Sequence, residues 1–196
     1  MLGIFLDSET NGLNVHRHQL IEIAFKILDV LTGELKDEFT SVVSTSVAQW
    51  AQSDPESLQV NGFTWDEVAH GTPPSGVGMQ IERCFAKHAI KRGEAVFICQ
   101  NPSFDRAFFG QLVDPDRQER LFWPYHWLDL ASMYWVEGMH KGVAGMGKFP
   151  WETGLSKDKI AKTYQLPPEE KPHRAMNGVN HLIQCYAAVV GFPHKK

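Results

Sequence analysis

Ala95-Val96-Phe97-Ile98-Cys99 is an unbroken apolar run, and the stretch behind it, Pro102 to Leu112, has the spacing of a helix. An apolar run of strand length belongs to a strand buried on both faces, as in the middle of a sheet covered by helices. Strand followed by helix is a βα unit, so the chain is expected to be an α/β protein.

The flanking sequence extends that pattern. Gly3-Ile4-Phe5-Leu6 reads as a short buried strand running toward the turn-forming Asn11-Gly12-Leu13-Asn14. Leu20 to Leu28 carries Glu22 and Lys26 at alternate positions and reads as a second strand. After a turn at Thr32-Gly33, residues 34–44 give a third strand and a hairpin. Helical signals follow: a start at Asp54-Pro55-Glu56, a stop at Asn61-Gly62, and a capped start at Thr64-Trp65-Asp66-Glu67. Ile81, Cys84, Phe85, His88 and Ala89 lie at helical spacing within a longer helix expected over Val77 to Lys91.

Trp127 to Leu130 suggests a last short strand, with a helix over Ala131 to Val136. Between Gly138 and Pro150, four glycines and two methionines predict a mobile loop, suited to closing over a bound end or, through Val143, Met146 and Phe149, to meeting another subunit. A helix near Ser156 to Tyr164 must end before Pro167-Pro168. Ala175, Val179, Leu182, Ile183, Tyr186 and Val190 give a final amphipathic helix. With no repeat, low-complexity tract or linker, residues 1–196 are expected to form one domain.

Charge and cysteine usage narrow the class of function. Nineteen Lys and Arg against 23 Asp and Glu give a net charge of −4, which argues against a broad basic grip on nucleic acid but not against one mediated by metal ions. Cys84, Cys99 and Cys185 are odd in number, far apart and without CxxC pairing, so neither a disulfide framework nor a zinc ribbon is expected. Leu2 to Leu6 meets Asp7 and Glu9 at once, and no uncharged run of about 18 residues follows. A cytoplasmic protein is expected.

The candidates for chemistry begin with Asp7-Ser8-Glu9 at the end of the first strand. Side chains alternate along a strand, so Asp7 and Glu9 share a face and can share a divalent cation. Asp54/Glu56 and Asp114/Asp116 have the same spacing but sit beside prolines in polar stretches, where a solvated surface is expected. Asp105 follows the central strand at the start of its helix, and a strand beside the first would bring it to Asp7 and Glu9. His173, in Lys171-Pro172-His173-Arg174-Ala175, stands where it can take a proton from a water near such a cation. Two basic groupings, Lys87/Lys91/Arg92 and Lys157/Lys159/Lys162, read as solvated helix faces. Among six tryptophans, Trp151 is placed to stack on a base or to line a dimer contact.

Phe5-Leu6-Asp7-Ser8-Glu9-Thr10-Asn11-Gly12-Leu13, Asn101-Pro102-Ser103-Phe104-Asp105 and His173-Arg174-Ala175 together resemble the three motifs of the DEDDh exonucleases, a family that includes the proofreading subunit of bacterial DNA polymerase and the oligoribonucleases. Val60 to Thr64 and Trp127 to Asp129 resemble segments between those motifs. The resemblance implies a ribonuclease H-like fold, a mixed central sheet of about five strands flanked by helices, and 3′→5′ hydrolysis at the 3′ end of single-stranded DNA or RNA with two Mg²⁺ or Mn²⁺ ions. It implies that Asp7, Glu9 and Asp105 are metal ligands and His173 the general base. It places Thr10, Gly12 and Leu13 against the terminal nucleotide, with Asn101 and Phe104 supporting the site. A polymerase-like partner or a homodimer is compatible with it.

One position departs from the pattern. The family has a fourth acid five residues after the histidine, and this chain has Gly178. Asn177, Asn180 or water are the candidates to fill the gap, and a neutral amide holds a hard cation poorly. The expectation is an exonuclease whose activity is weakened, Mn²⁺-preferring or absent; the alternative is a binding or scaffolding module that kept the fold and lost the chemistry.

Overall fold

The structure is a computed structural model describing residues 1–194. Five strands form one mixed sheet in the order β3-β2-β1-β4-β5. They are β1 (Leu2–Thr10), β2 (Leu20–Asp29), β3 (Leu35–Val42), β4 (Ala95–Cys99) and β5 (Trp127–Asp129). The first three pair antiparallel, and β4 joins β1 in parallel register with Leu2 opposite Ala95 and Phe5 opposite Ile98. The apolar run at Ala95 is thus an inner strand, as its sequence requires.

Between β3 and β4 come α1 (Val47–Trp50), α2 (Pro55–Asn61), α3 (Trp65–Ala69) and α4 (Pro74–Lys87). After β4 come α5 (Pro102–Phe109) and α6 (Pro115–Arg120), and after β5 come α7 (Leu130–Val143), α8 (Pro150–Thr153), α9 (Lys157–Thr163) and α10 (Ala175–Val189). Asp54 caps α2, which Gly62 ends in the left-handed conformation at φ 69°. Thr64 and Glu67 form a capping box on α3.

Alternation along β1 sorts the core. Ile4 and Leu6 face Val77, Ile81 and Phe85 of α4 and Phe108 and Phe109 of α5. Phe5 faces Leu130 of α7, Ile160 of α9 and Val179, Leu182 and Tyr186 of α10, with its ring edge-on to Tyr186 at 5.0 Å. Burial on both faces explains why β1 reads as a solid apolar run until Asp7.

Several boundaries differ from the sequence reading. β1 continues through Thr10, so Asp7, Ser8 and Glu9 lie within the strand. α4 starts earlier, at Pro74, and stops at Lys87; Lys91 and Arg92 lie beyond it. α5 ends at Phe109, short of Leu112. The largest correction concerns the glycine-rich stretch. α7 runs on to Val143, and α8 begins at Pro150, leaving a loop of only 144–149. Gly138 and Gly142 serve as contact points: a Cβ would come within 2.7 Å of Pro150 Cγ at the first and 2.5 Å of Phe149 Cδ1 at the second. The glycines let the returning chain pack against α7, which overrides their low helix propensity.

Candidate active site

The site has two halves, which meet at Asp7 of β1. The first is made by β1 and α5. Asp7 and Glu9 point the same way, and across the antiparallel register Glu9 sits opposite Glu22 of β2. Glu22 is buried and accepts a hydrogen bond from the Ala175 N–H at 2.7 Å, which ties the start of α10 to the sheet. Asp105 lies in the first turn of α5, buried, and its Oδ1 accepts from Ser8 Oγ at 2.7 Å. The chain turns into α5 through Asn101, left-handed at φ 57°, whose N–H donates to Asp129 and whose Oδ1 accepts from Ser103. Asn101 is exposed and shapes this turn; it does not stand behind the acids.

Burial sets the electrostatics. It pushes Glu9 up to about 8, with Asp7 and Glu22 adding repulsion. Burial and the nearby Asp7 likewise push Asp105 up to about 8. The Asp7 carboxyl is also raised by burial, against the pull of Lys157. Hard oxygen donors that repel each other in a desolvated place fit a divalent cation.

Beside these acids is a cavity of about 300 Å³ lined by Glu9, Thr10, Leu13, Val60, Asn61 and Phe104. Thr10 Oγ1 donates to the Gly12 carbonyl at 2.8 Å, and Asn61 Nδ2 donates to the Thr10 carbonyl at 3.0 Å. Gly12 admits no side chain, since a Cβ would lie 2.2 Å from Nδ1 of the buried His18. Leu13 projects from this turn 76% exposed, at the cavity. Thr10, Leu13 and Phe104 thus line one cavity, and Gly12 joins them through the Thr10 hydroxyl.

The second half is made by α9, the loop after it and α10. His173 lies just before α10, its N–H donating to the Val60 carbonyl at 3.3 Å and its Nδ1 3.2 Å from Glu169 Oε1. Arg174 stacks over the Phe63 ring at 3.8 Å and pairs with Glu67 at 2.7 Å, fixing the start of the helix. Gly178 faces Asp7 so closely that a Cβ there would lie 2.0 Å from Asp7 Oδ2. Asn177 and Asn180 do not fill the gap: they line a different cavity with Lys26, Leu35 and Pro167.

What faces Asp7 is Lys157. Its Nζ lies 3.0 Å from Asp7 Oδ1, 3.1 Å from Glu169 Oε2 and 3.4 Å from the Gly178 carbonyl. Its side chain is 14% exposed and that of Glu169 3%. This corrects the expectation of a solvated basic face at Lys157. Burial opposes the charge on Lys157, but Asp7 and Glu169 raise its pKa above the ordinary lysine value. Burial would also raise Glu169; His181, Lys157 and His173 instead hold it down at about 2. Glu169 and His181 were not singled out from sequence, and neither Lys157 nor Glu22 was assigned to the site. Only Glu22 left a signal there, as a charged residue interrupting an otherwise apolar strand.

The other basic grouping is also engaged in the fold. Lys87 pairs with Asp37 at 2.9 Å, and Arg92 pairs with Glu119 and covers the Phe122 and Tyr125 rings. Asp37, Cys84 and His88 form the group of three potential ligand side chains, among the described residues, that lies within 4.8 Å; Lys87 already satisfies Asp37 there. Trp151 is exposed and stacks flat on Phe149 at 4.5 Å.

No family model matches the chain. Ribonuclease T of Histophilus somni is 24% identical over 196 residues, spanning 97% of this chain and 87% of that protein. Among solved structures, E. coli exonuclease I in complex with a dT13 oligonucleotide superposes with TM-score 0.66 and 14% identity over 96% of this chain and 40% of its own. The nuclease domain of 3′hExo, a DEDDh family member bound to rAMP, gives TM-score 0.66 and 13% identity over 94% of this chain and 88% of its own. The chain is thus similar in sequence to ribonuclease T along nearly its whole length and shares the fold of these exonuclease structures.

Proposed function

We propose that this relative of ribonuclease T is a metal-dependent exonuclease that hydrolyses phosphodiester bonds from the 3′ end of single-stranded DNA or RNA. The observation that carries the reading is that Asp7 and Asp105 lie in electrostatic reach of each other and Asp7 in reach of Glu9, with Glu9 lining a cavity it shares with Thr10, Leu13 and Phe104. A solvent-exposed leucine next to buried acids has no role in the core; it suits the base of a terminal nucleotide whose sugar meets the Thr10–Gly12 backbone.

Asp7, Glu9 and Asp105 would hold Mg²⁺ or Mn²⁺, which when bound stabilises the charge developing on the phosphodiester oxygens. The chain's own residues do the rest. His173 Nδ1 lies 3.2 Å from Glu169 Oε1, and with the proton on Nδ1 the ring's Nε2 is the acceptor for the proton of the attacking water. Glu169 fixes the ring from a buried position and Val60 fixes its backbone. Ser8 holds Asp105 in place from the other face of the strand. No described helix is long and apolar enough to cross a membrane, and all three cysteines are free thiols; a cytoplasmic setting fits both.

The test is cleavage of matched 5′-labelled DNA and RNA oligonucleotides with Mg²⁺ or Mn²⁺, with Asp7→Ala as control. A ladder that shortens from the 3′ end and is absent in the variant is expected. Identical ladders from both proteins, or none from either, would refute the proposal.

A further inference from the structure

We propose that the Lys157 ammonium is a resident cation that takes the place of one of the two metal ions, so that the site takes a single divalent ion on its Glu9 and Asp105 side. The inference rests on the exonuclease reading and concerns how that site is charged.

Three observations converge on it. The ammonium is held by acceptors from three separate elements: Asp7 on β1, Glu169 in the loop after α9, and the Gly178 carbonyl on α10. A surface lysine folding inward by chance would not meet a carboxylate as enclosed as Glu169, which is only 3% exposed. The second observation is Gly178 itself. A Cβ at that position would lie 2.0 Å from Asp7 Oδ2 and 3.0 Å from Lys157 Nζ, so the Asp7 carboxylate and the ammonium together fill the space a side chain at 178 would need. The loss of an acid at 178 and the presence of a buried lysine at 157 are one exchange. An anionic ligand with a dication is replaced by a neutral carbonyl with a monocation, so ligand and cation each lose one unit of charge and the net charge of that corner is unchanged.

The third observation is the direction of Asp7. Among the described residues, Asp7, Glu9 and Asp105 are not drawn within 4.8 Å of one another, whereas Asp7 is within hydrogen-bond reach of Lys157. The lysine therefore engages the Asp7 oxygen that would otherwise serve a second ion, while the Glu9 and Asp105 carboxyls, both raised by burial and by the nearby Asp7, are left to one divalent ion.

The experiment counts ions on the intact protein. Mn²⁺ is titrated and the free ion followed by its electron paramagnetic resonance signal, and in parallel Mg²⁺ is titrated into ¹⁵N-lysine-labelled protein while the Lys157 NH₃⁺ resonance is watched. The expected result is one Mn²⁺ per chain, with the slowly exchanging Lys157 signal persisting at saturation. The double variant Lys157→Leu/Gly178→Asp is expected to take up a second Mn²⁺, while Gly178→Asp alone is not, because the lysine still blocks the place. Two ions in the unaltered protein, or loss of the Lys157 signal as Mg²⁺ binds, would overturn the inference; neither needs a variant to fold. Cleavage together with two ions removes this inference and leaves the exonuclease standing. No bound ion and no cleavage removes both.

Discussion

The two halves of the site are built on opposite principles. On the β1 and α5 side, Glu9 and Asp105 are held close to Asp7 with too little positive charge, and burial leaves both near 8. On the α9 and α10 side the charges are matched: Lys157 lies between Asp7 and Glu169, and Glu169 also faces His173 and His181. The first half is held together at the expense of stability and waits for a ligand. The second is an ion-pair network that carries its own counter-charge. A raised acid marks where an external cation adds stability, and a depressed one marks where the protein has supplied its own.

The largest effect expected from this contrast is at Glu9. Glu9→Gln removes a charged oxygen donor, and the cleavage rate should fall by about 10²–10³. Stability should move the other way. A carboxyl whose folded pKa is about 8 against 4.5 when unfolded opposes folding progressively as pH rises from 4.5 to 8. Without divalent ions, the glutamine variant should therefore be the more stable protein at pH 8, by a few kcal/mol, and equal to the parent below pH 4. Thermal unfolding in chelator across that range checks it; a variant less stable at pH 8 would mean that Glu9 is structural and that the two halves do not differ.

Substitution on the other side should give the reverse. Lys157→Met leaves Asp7 and Glu169 without their partner, and losing one member of such a buried pair costs about 3–5 kcal/mol. Glu169→Gln should show in the pH profile. Held at about 2 in the fold against 4.5 unfolded, Glu169 contributes stability that is complete above pH 4.5 and is lost as pH falls toward 2. The variant should be less stable at neutral pH and should lose less on acidification. His181, pushed up to about 9 by the Cys185 thiol beside it and by Glu169, contributes below pH 6.5 and ceases to as pH passes 9. An unchanged acid limb in chemical denaturation of Glu169→Gln would show that the network carries no stability.

The same contrast explains what was legible in the chain. The first half is local: Asp7 and Glu9 are two residues apart on a strand whose apolar run announces itself, and Asp105 follows an equally plain strand, so alternation and adjacency suffice to bring them together. The second half joins residues 157, 169, 173 and 178, and its meaning lies in which side chain reaches which. Lys157 shares its helix with Lys159 and Lys162, and composition does not distinguish the buried one from its solvated neighbours. Glu169 sits in a polar, proline-rich stretch that reads as surface. Gly178 stands out in sequence as a missing acid, but only the position of the Lys157 ammonium shows what took its place. The glycines of α7 mislead for a related reason, since a glycine that admits Pro150 or Phe149 looks the same in sequence as one that frees a hinge.

The smallest effect expected is at the edge of the first half. Leu13 is 76% exposed and adds almost nothing to the core, so Leu13→Ala should leave the melting temperature unchanged. If the leucine packs against the terminal base, truncation removes a modest apolar contact of about 1 kcal/mol, which appears as a several-fold rise in KM. The chemical step should be spared, because an apolar side chain neither holds a metal ion nor moves a proton, so kcat should stay at the parent value. Steady-state kinetics on a short oligonucleotide separate the two parameters. A fall in kcat with KM unchanged would assign Leu13 to the arrangement of the acids, and the cavity beside Glu9 would then no longer mark where a 3′ end lies.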